Sequence, residues 1–358
     1  MAVKQNFSVI GLMSGSSLDG LDLVCCRFEK IENHWKYVVE ASDCFDYSEE
    51  MKTLLSSAFY LPMDEIRKLD HSYGEYLAGQ LNHFIEKHDL SPDFIASHGH
   101  TVLHRPAEGI TVQIGNGQIM ANLTQFPVVN DFRSLDVKKG GQGAPLVPVG
   151  DRLLFNEFGI CLNIGGIANL SFEKDQKRIA YDVCIANQAL NYLASKIGLP
   201  YDPKGEIAGN GKLQNELLQQ LNDLDYYKIP IPKSLGREYF ESYFLPILSK
   251  SNFEVTDLLF TVSEHIAQQI AVSMSEIPET SVLVSGGGAL NDFLIDRFRK
   301  NTHHQIIVPD KQTVNFKEAI VFAFLGLLRW HNEINCLCSV TGASEDSCTG
   351  EIWYPQTV

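Results

Sequence analysis

Three glycine-dense turns, each behind an apolar run of strand length, constrain this chain more than any other feature. They lie at residues 8–24 (SVIGLMSGSSLDGLDLV), 159–172 (GICLNIGGIANLSF) and 281–294 (SVLVSGGGALNDFL). Glycine lets a backbone take positive φ and approach a ligand closely. Successive N–H groups in such turns form anion-binding concavities. One turn of this kind says little. Three, spread over most of the chain, point to one nucleotide held from several sides. The alternative is three tight turns that only connect strands.

Both halves read as strand, glycine turn, strand, then helices, without a clear sequence repeat. That order predicts two related α/β domains facing across a cleft. The length, 358 residues, exceeds what one hydrophobic core usually supports and agrees with two domains. Strands are expected at 8–12, 21–28, 35–41, 94–97, 111–114, 128–130, 281–284 and 304–308. Helices are expected at 49–59, 63–88, 117–123, 187–197, 215–224, 239–249, 257–275, 291–300 and 317–331, where apolar residues recur at helical spacing. The stretch 131–148, rich in glycine and charge, is the expected hinge. The expected division is therefore 1–130, 131–335 and an irregular tail, 336–358, that packs back on the first domain.

A net charge of −15 argues against non-specific binding to nucleic acid or anionic membranes. The N-terminus shows no signal pattern, and no apolar run is long enough to span a bilayer. None of the eight cysteines forms a CxxC pair, so buried, reduced thiols in a cytoplasmic protein are expected.

The first turn offers backbone amides, the hydroxyls of Ser14, Ser16 and Ser17, and the carboxylates of Asp19 and Asp22. A carboxylate beside phosphates commonly holds Mg²⁺. Asp19 is the candidate, or else a turn-capping aspartate. In the second turn Gly165 and Gly166 follow a strand. The third, 285–291, is expected to open a helix whose amides meet adenosine or phosphate. There is no G-x-x-x-x-G-K-[ST], which excludes a P-loop. A second, polar constellation comprises His98, His100, His104, Arg105, Gln113, Asn116, Asp131, Arg133 and Asp136. It suits a polyhydroxylated or anionic ligand, with Arg133 able to clamp a carboxylate. His98 and His100 would face one side if their segment is extended. Asp182, at the end of the run 178–182, reads equally as a general base or as the N-cap of the next helix.

Together GLMSGSSLDGLD, SHGHTVLHRP, QIGNG, DFRSLDVKKGGQGAPLVP, LNIGGIANLS, KSLGREYF, VSGGGALN and FKEAIVFAFLG resemble the motif set of anhydro-N-acetylmuramic acid kinases, over nearly the whole chain. The resemblance implies an α/β, two-domain actin-like ATPase and sugar-kinase fold with an interdomain nucleotide cleft. It implies ATP and Mg²⁺ as cofactors, a small anhydro amino sugar as substrate, a homodimer, and a place in cell-wall peptidoglycan recycling. Water would open the 1,6-anhydro ring and the freed O6 would take the γ-phosphate, giving N-acetylmuramic acid 6-phosphate and ADP. Gly15, Ser16, Ser17, Leu18, Asp19, Gly20, Leu21 and Asp22 match the ATP loop. Gly165 and Gly166 match the second phosphate loop, and Gly286, Gly287, Gly288 and Asn291 the adenosine loop. His98, Gly99, His100, Gln113, Asn116, Arg133 and Glu318 match the sugar side. Asp182 matches the base that activates the water. The chain departs from the usual pattern at Ser16, at residues 183–187 and at Leu235, where threonine is common. Two alternatives remain: a kinase for a simpler anhydro sugar such as levoglucosan, and a nucleotide-switched binding protein like actin or a chaperone.

Overall fold

β1 (Asn6–Ser14) buries Val9, Ile10 and Leu12 completely. Side chains on both of its faces are thus out of water, as in a central strand covered on two sides. The computed structural model describes residues 6–15, 18, 20–32 and 34–356. Contacts divide the chain into two compact units, Met1–Phe155 with Phe316–Val358, and Asn156–Asn315.

In the first unit β1, β2 (Leu21–Ile31) and β3 (His34–Phe45) form an antiparallel meander. β4 (Phe94–Ser97) joins β1 in parallel. β5 (His100–Arg105) and β6 (Ile110–Ile114) form a separate two-stranded ribbon. β7 (Val128–Asn130) adds to β4 in parallel. The strand order is β3-β2-β1-β4-β7, and a last strand, Glu351–Trp353, pairs antiparallel with β7. The helix Met63–Lys87 buries Ile66, Leu69, Tyr73, Leu77, Leu81 and Phe84. Their three-to-four spacing puts them on one face, and each fully buried Leu or Phe contributes about 1.5–3 kcal/mol. The helix Lys311–Trp330 starts before the division at Phe316. From Ala319 on it lies so close to β1 that a Cβ on Gly11 would collide with the Ala319 carbonyl.

In the second unit β8 (Ile160–Ile164), β9 (Ile167–Lys174) and β10 (Lys177–Ile185) form another antiparallel meander. β11 (Ser281–Ser285) and β12 (Gln305–Ile307) follow in parallel, giving the order β10-β9-β8-β11-β12. The two sheets share one connectivity, a meander whose first strand is extended by parallel strands. The helix Val255–Met274 buries eleven side chains against this core, among them Val262, Ile266 and Ile270.

Four expectations need correction. The stretch 131–148 is no boundary: it carries the helix Ser134–Lys138 and belongs to the first unit, and the division falls at Phe155 and Phe316. The reason is Asp136, a fully buried carboxylate that accepts from the Gly143 N–H (2.8 Å) and the Thr341 hydroxyl (2.8 Å). It ties that stretch to the tail. The tail itself is not irregular throughout, since it supplies the helix Cys338–Thr341 and the strand on β7. Residues 100–105, not among the expected strands, are β5. Cys44 is exposed rather than buried, although Cys25, Cys26, Cys161, Cys184 and Cys336 are buried and no cysteine is paired.

Candidate functional site

The sugar-side residues expected from the sequence lie in the first unit and fall into two groups. His98 follows β4, its N–H on the Leu12 carbonyl (3.0 Å). Arg133 directs Nε (3.1 Å) and Nη2 (2.8 Å) at His98 Nε2 and donates from Nη1 to the Gly143 carbonyl (2.6 Å). A guanidinium only donates. His98 Nε2 is therefore unprotonated, and Nδ1 donates to the Gly99 carbonyl (3.0 Å). Burial, then the Arg133 charge, hold the His98 pKa well below the usual histidine range. Burial also lowers Arg133, to about 10, while Glu318 acts the other way. The Nε–Nη2 fork that would clamp a carboxylate is thus engaged by His98.

Gly99 has φ +71°, and a Cβ there would lie 2.5 Å from the Ile114 carbonyl. This left-handed residue breaks the extended course, so His98 and His100 do not share a face by period-two alternation. His100 instead meets Ser14 at the end of β1, Nδ1 to Oγ 2.9 Å. Tyr47 donates to the same Oγ (2.8 Å) and shares a hydrogen bond with the Tyr73 hydroxyl (2.7 Å). Burial brings His100 down to about 4, so it is neutral at pH 7. Tyr47 and Tyr73 carried no sequence signal, being single aromatic residues whose partners lie elsewhere in the chain.

Two sugar-side candidates already make hydrogen bonds within the protein. Asn116 caps the helix Gly117–Thr124, Oδ1 accepting from the Ile119 N–H (3.1 Å), while Nδ2 donates to Asp70 (2.9 Å). Gln113 gives Nε2 to Thr111 Oγ1 (2.9 Å), whereas its buried Oε1 has no partner among the described residues. His104 and Arg105 sit at the exposed end of β5. In the first turn Gly15 accepts from the Leu18 N–H (3.3 Å), Leu18 has φ +57°, and Gly20 packs on Cys44. Leu21 and Asp22 open β2. Ser16, Ser17 and Asp19 lie outside the described residues.

The second and third turns belong to the second unit. Ser285 pairs with Asn163, so both turns leave the carboxyl ends of adjacent parallel strands, β8 and β11. Gly286 has φ +79° and packs on Asn163 and the Ile164 carbonyl, and Gly288 packs on Ile164. These two are glycine because the fold demands it. Gly165, Gly166 and Gly287 differ. No protein atom comes closer than 3.6 Å to a Cβ built on any of them, and none has a left-handed φ. Unobstructed backbones at the carboxyl ends of strands are free to accept an approaching phosphate chain. Asn291 caps the helix Asp292–Asn301 through the Leu294 N–H (2.9 Å). The third turn enters a 3₁₀ turn, Gly287–Leu290, before that helix. It does not open the helix directly.

Asp182 lies inside β10, at a bulge between Asp182 and Cys184. It is not a helix cap, because the next helix starts at Asn187 with Ala186 as its cap residue. Oδ2 accepts from the Leu235 N–H (2.9 Å). Oδ1 has no hydrogen-bond partner among the described residues. Burial raises the Asp182 pKa and the Leu235 N–H opposes that.

The family model for anhydro-N-acetylmuramic acid kinase matches residues 7–355. The chain belongs to the anhydro-N-acetylmuramic acid kinase family. An anhydro-N-acetylmuramic acid kinase of Actinobacillus pleuropneumoniae serotype 7 is 35% identical over 371 residues, covering 97% of this chain and 98% of that one. One from Vibrio cholerae is 34% identical over 369 residues, again covering 97% and 98%. Among solved structures, the activator of 2-hydroxyisocaproyl-CoA dehydratase from Clostridium difficile is similar at 16% identity and a TM-score of 0.44, covering 87% of this chain and 96% of that one. The shared meander-plus-parallel connectivity of the two units is the α/β arrangement expected of this kinase family. No helix of the described residues is long and apolar enough to cross a membrane.

Proposed function

We propose that this chain, as a member of its family, uses ATP to convert 1,6-anhydro-N-acetylmuramic acid into N-acetylmuramic acid 6-phosphate and ADP, with Asp182 as the base. Asp182 accepts a proton from water as the water oxygen bonds to the anomeric carbon. The bond from that carbon to O6 breaks, and O6 takes the γ-phosphoryl group of ATP. Asp182 carries this reading. One carboxylate oxygen is held by an N–H and the other is free to accept. Its pKa is raised by burial toward the pH at which it works, which favours proton transfer. Gly165, Gly166 and Gly287 receive the nucleotide. Mg²⁺, with Asp19 as its ligand, would neutralise phosphate charge when bound. His98, Gly99, His100, Gln113, Asn116, Arg133 and Glu318 make up the sugar side, Arg133 by holding His98 and Asn116 by capping the helix Gly117–Thr124, with neutral imidazoles suited to hydroxyl groups. A cytoplasmic homodimer serving peptidoglycan recycling completes the proposal.

Turnover in ¹⁸O-labelled water tests it. Label at the anomeric oxygen together with a 6-phosphate is the expected product. Phosphorylation of levoglucosan with none of the muramic sugar would overturn the substrate. Asp182→Asn keeps the shape of the side chain but not its basicity, and kcat falls by about 10²–10⁴ with ATP binding intact. Turnover near wild type in that variant removes Asp182 from the chemistry.

A further inference from the structure

A general base works only if its free oxygen points the right way, and a carboxylate held by a single bond at the edge of a sheet can swivel. We propose that the segment from Tyr226 to Leu235 is the positioning device for Asp182, gripping its N–H, its carbonyl and one carboxylate oxygen so that the other oxygen alone is presented to the proton. This rests on the reading of Asp182 as the base.

β10 is the edge strand of its sheet, so one side of its backbone has no neighbouring strand to pair with. At Asp182 the segment takes that place. The Asp182 N–H donates to the Lys233 carbonyl (3.2 Å), and the Tyr226 hydroxyl donates to the Asp182 carbonyl (2.6 Å). The Leu235 N–H holds Oδ2. Three contacts from ten residues thus act on one amino acid, next to a bulge that already turns the strand. Lys233 closes the segment on itself, with Nζ on the Tyr226 carbonyl (3.2 Å) and 4.5 Å from the centre of its ring.

The segment is in turn anchored. The Tyr227 hydroxyl lies 2.8 Å from His265 Nε2, and His265 Nδ1 lies 2.7 Å from Asn222 Oδ1. Asn222 Oδ1 only accepts, so His265 Nδ1 carries the proton and Nε2 accepts from Tyr227. Burial drives His265 down to about 3, so this tautomer persists at working pH. Asn222 is braced by Gln268 and Gln269 (2.9 Å each) on the same helix as His265. The grip on Asp182 therefore traces back to the buried helix Val255–Met274. The grip at Leu235 uses a backbone N–H, so leucine in place of the threonine common in the family leaves it intact. The Asp182 charge also acts on Tyr226 and Cys184, and Lys233 acts on Cys184.

Two variants of the full-length enzyme test the proposal beside Asp182→Asn. One is Tyr226→Phe. The other replaces the amide at position 235 by an ester, using the α-hydroxy analogue of leucine. Tyr226→Phe should lower kcat by about tenfold with both KM values unchanged, the scale of one lost hydrogen bond. The ester removes the bond that favours the ionised carboxylate, so the acid limb of the kcat profile should move up by about one pH unit. A loop with a purely structural role would change the melting temperature and leave that limb in place. If Asp182→Asn is inactive while both variants keep wild-type kcat and the wild-type limb, the positioning role is wrong and the base stands. If Asp182→Asn turns over normally, the base reading fails instead. Should one variant not fold by circular dichroism, the other decides by the same criteria.

Discussion

At the scale of single residues, glycines with the same local look serve different masters. Gly286 is held at φ +79° against Asn163. Gly286→Ala should destabilise by about 1–3 kcal/mol, visible as a lower denaturant midpoint. A Cβ on Gly166 would meet only Gln188 Cβ, at 3.8 Å. Gly166→Ala should leave stability within about 0.5 kcal/mol yet raise the KM for ATP by about tenfold, as one blocked hydrogen bond to a charged group would. Unchanged KM with unchanged stability would leave Gly166 without a nucleotide role. The glycines were legible in the sequence, but which of them answer to the fold was not, because that depends on atoms 120 residues away, as with Ile164 and Gly286. Asn116 and Asn291 show the same limit. A sequence marks a polar residue at a turn, and only the neighbouring helix reveals that its oxygen is already used as a cap.

Among elements, the strands flanking the glycine turns were readable and the C-terminal tail was not. Apolar runs broken by glycine predicted β1, β2 and β11 to within a few residues, and marked β8 as a strand without bounds. The strand Glu351–Trp353 is three residues long and has no periodicity to detect. Its place comes from partners far away: Trp353 Nε1 donates to Asn130 Oδ1 (2.8 Å). Thr341 and Cys336 both donate to Asp136 Oδ1 (2.8 and 3.1 Å), and Asp136 holds Gly143, whose carbonyl receives Arg133. Truncation after Asn335 would strip a buried carboxylate of a hydroxyl donor, at a cost of about 1–3 kcal/mol, and uncover the edge of β7. The expected result is a melting temperature lower by several degrees and weakened sugar binding through Arg133. A truncated chain with full stability and sugar affinity would show the tail to be dispensable. β10 makes a complementary case. Its strand character was only partly legible, because the bulge that presents Asp182 is a tertiary event at an edge.

For the whole molecule, pH exposes how much polar structure is buried. His98, His100 and His265 all titrate below the ordinary histidine value of 6.5 because burial disfavours their charged forms, His100 near 4 and His265 near 3. The unfolded chain therefore binds more protons than the folded one below about pH 6.5. Stability is full above that value and declines as pH falls toward 4. Urea midpoints at pH 7 and pH 5 should differ, with the lower at pH 5, while a flat profile would mean these imidazoles are more open than their contacts indicate. The motif set by itself determined the family, the α/β class and the candidates for nucleotide, sugar and base, since backbone approach to phosphate needs glycine at strand ends and proton transfer needs a carboxylate. Tertiary structure alone decided where the chain divides, that Arg133 is spent on His98, that Asp182 is gripped by residues 226–235, and that the tail belongs to the first sheet. Each of those depends on contacts between residues far apart in the chain, where geometry in three dimensions rather than local pattern sets the energy.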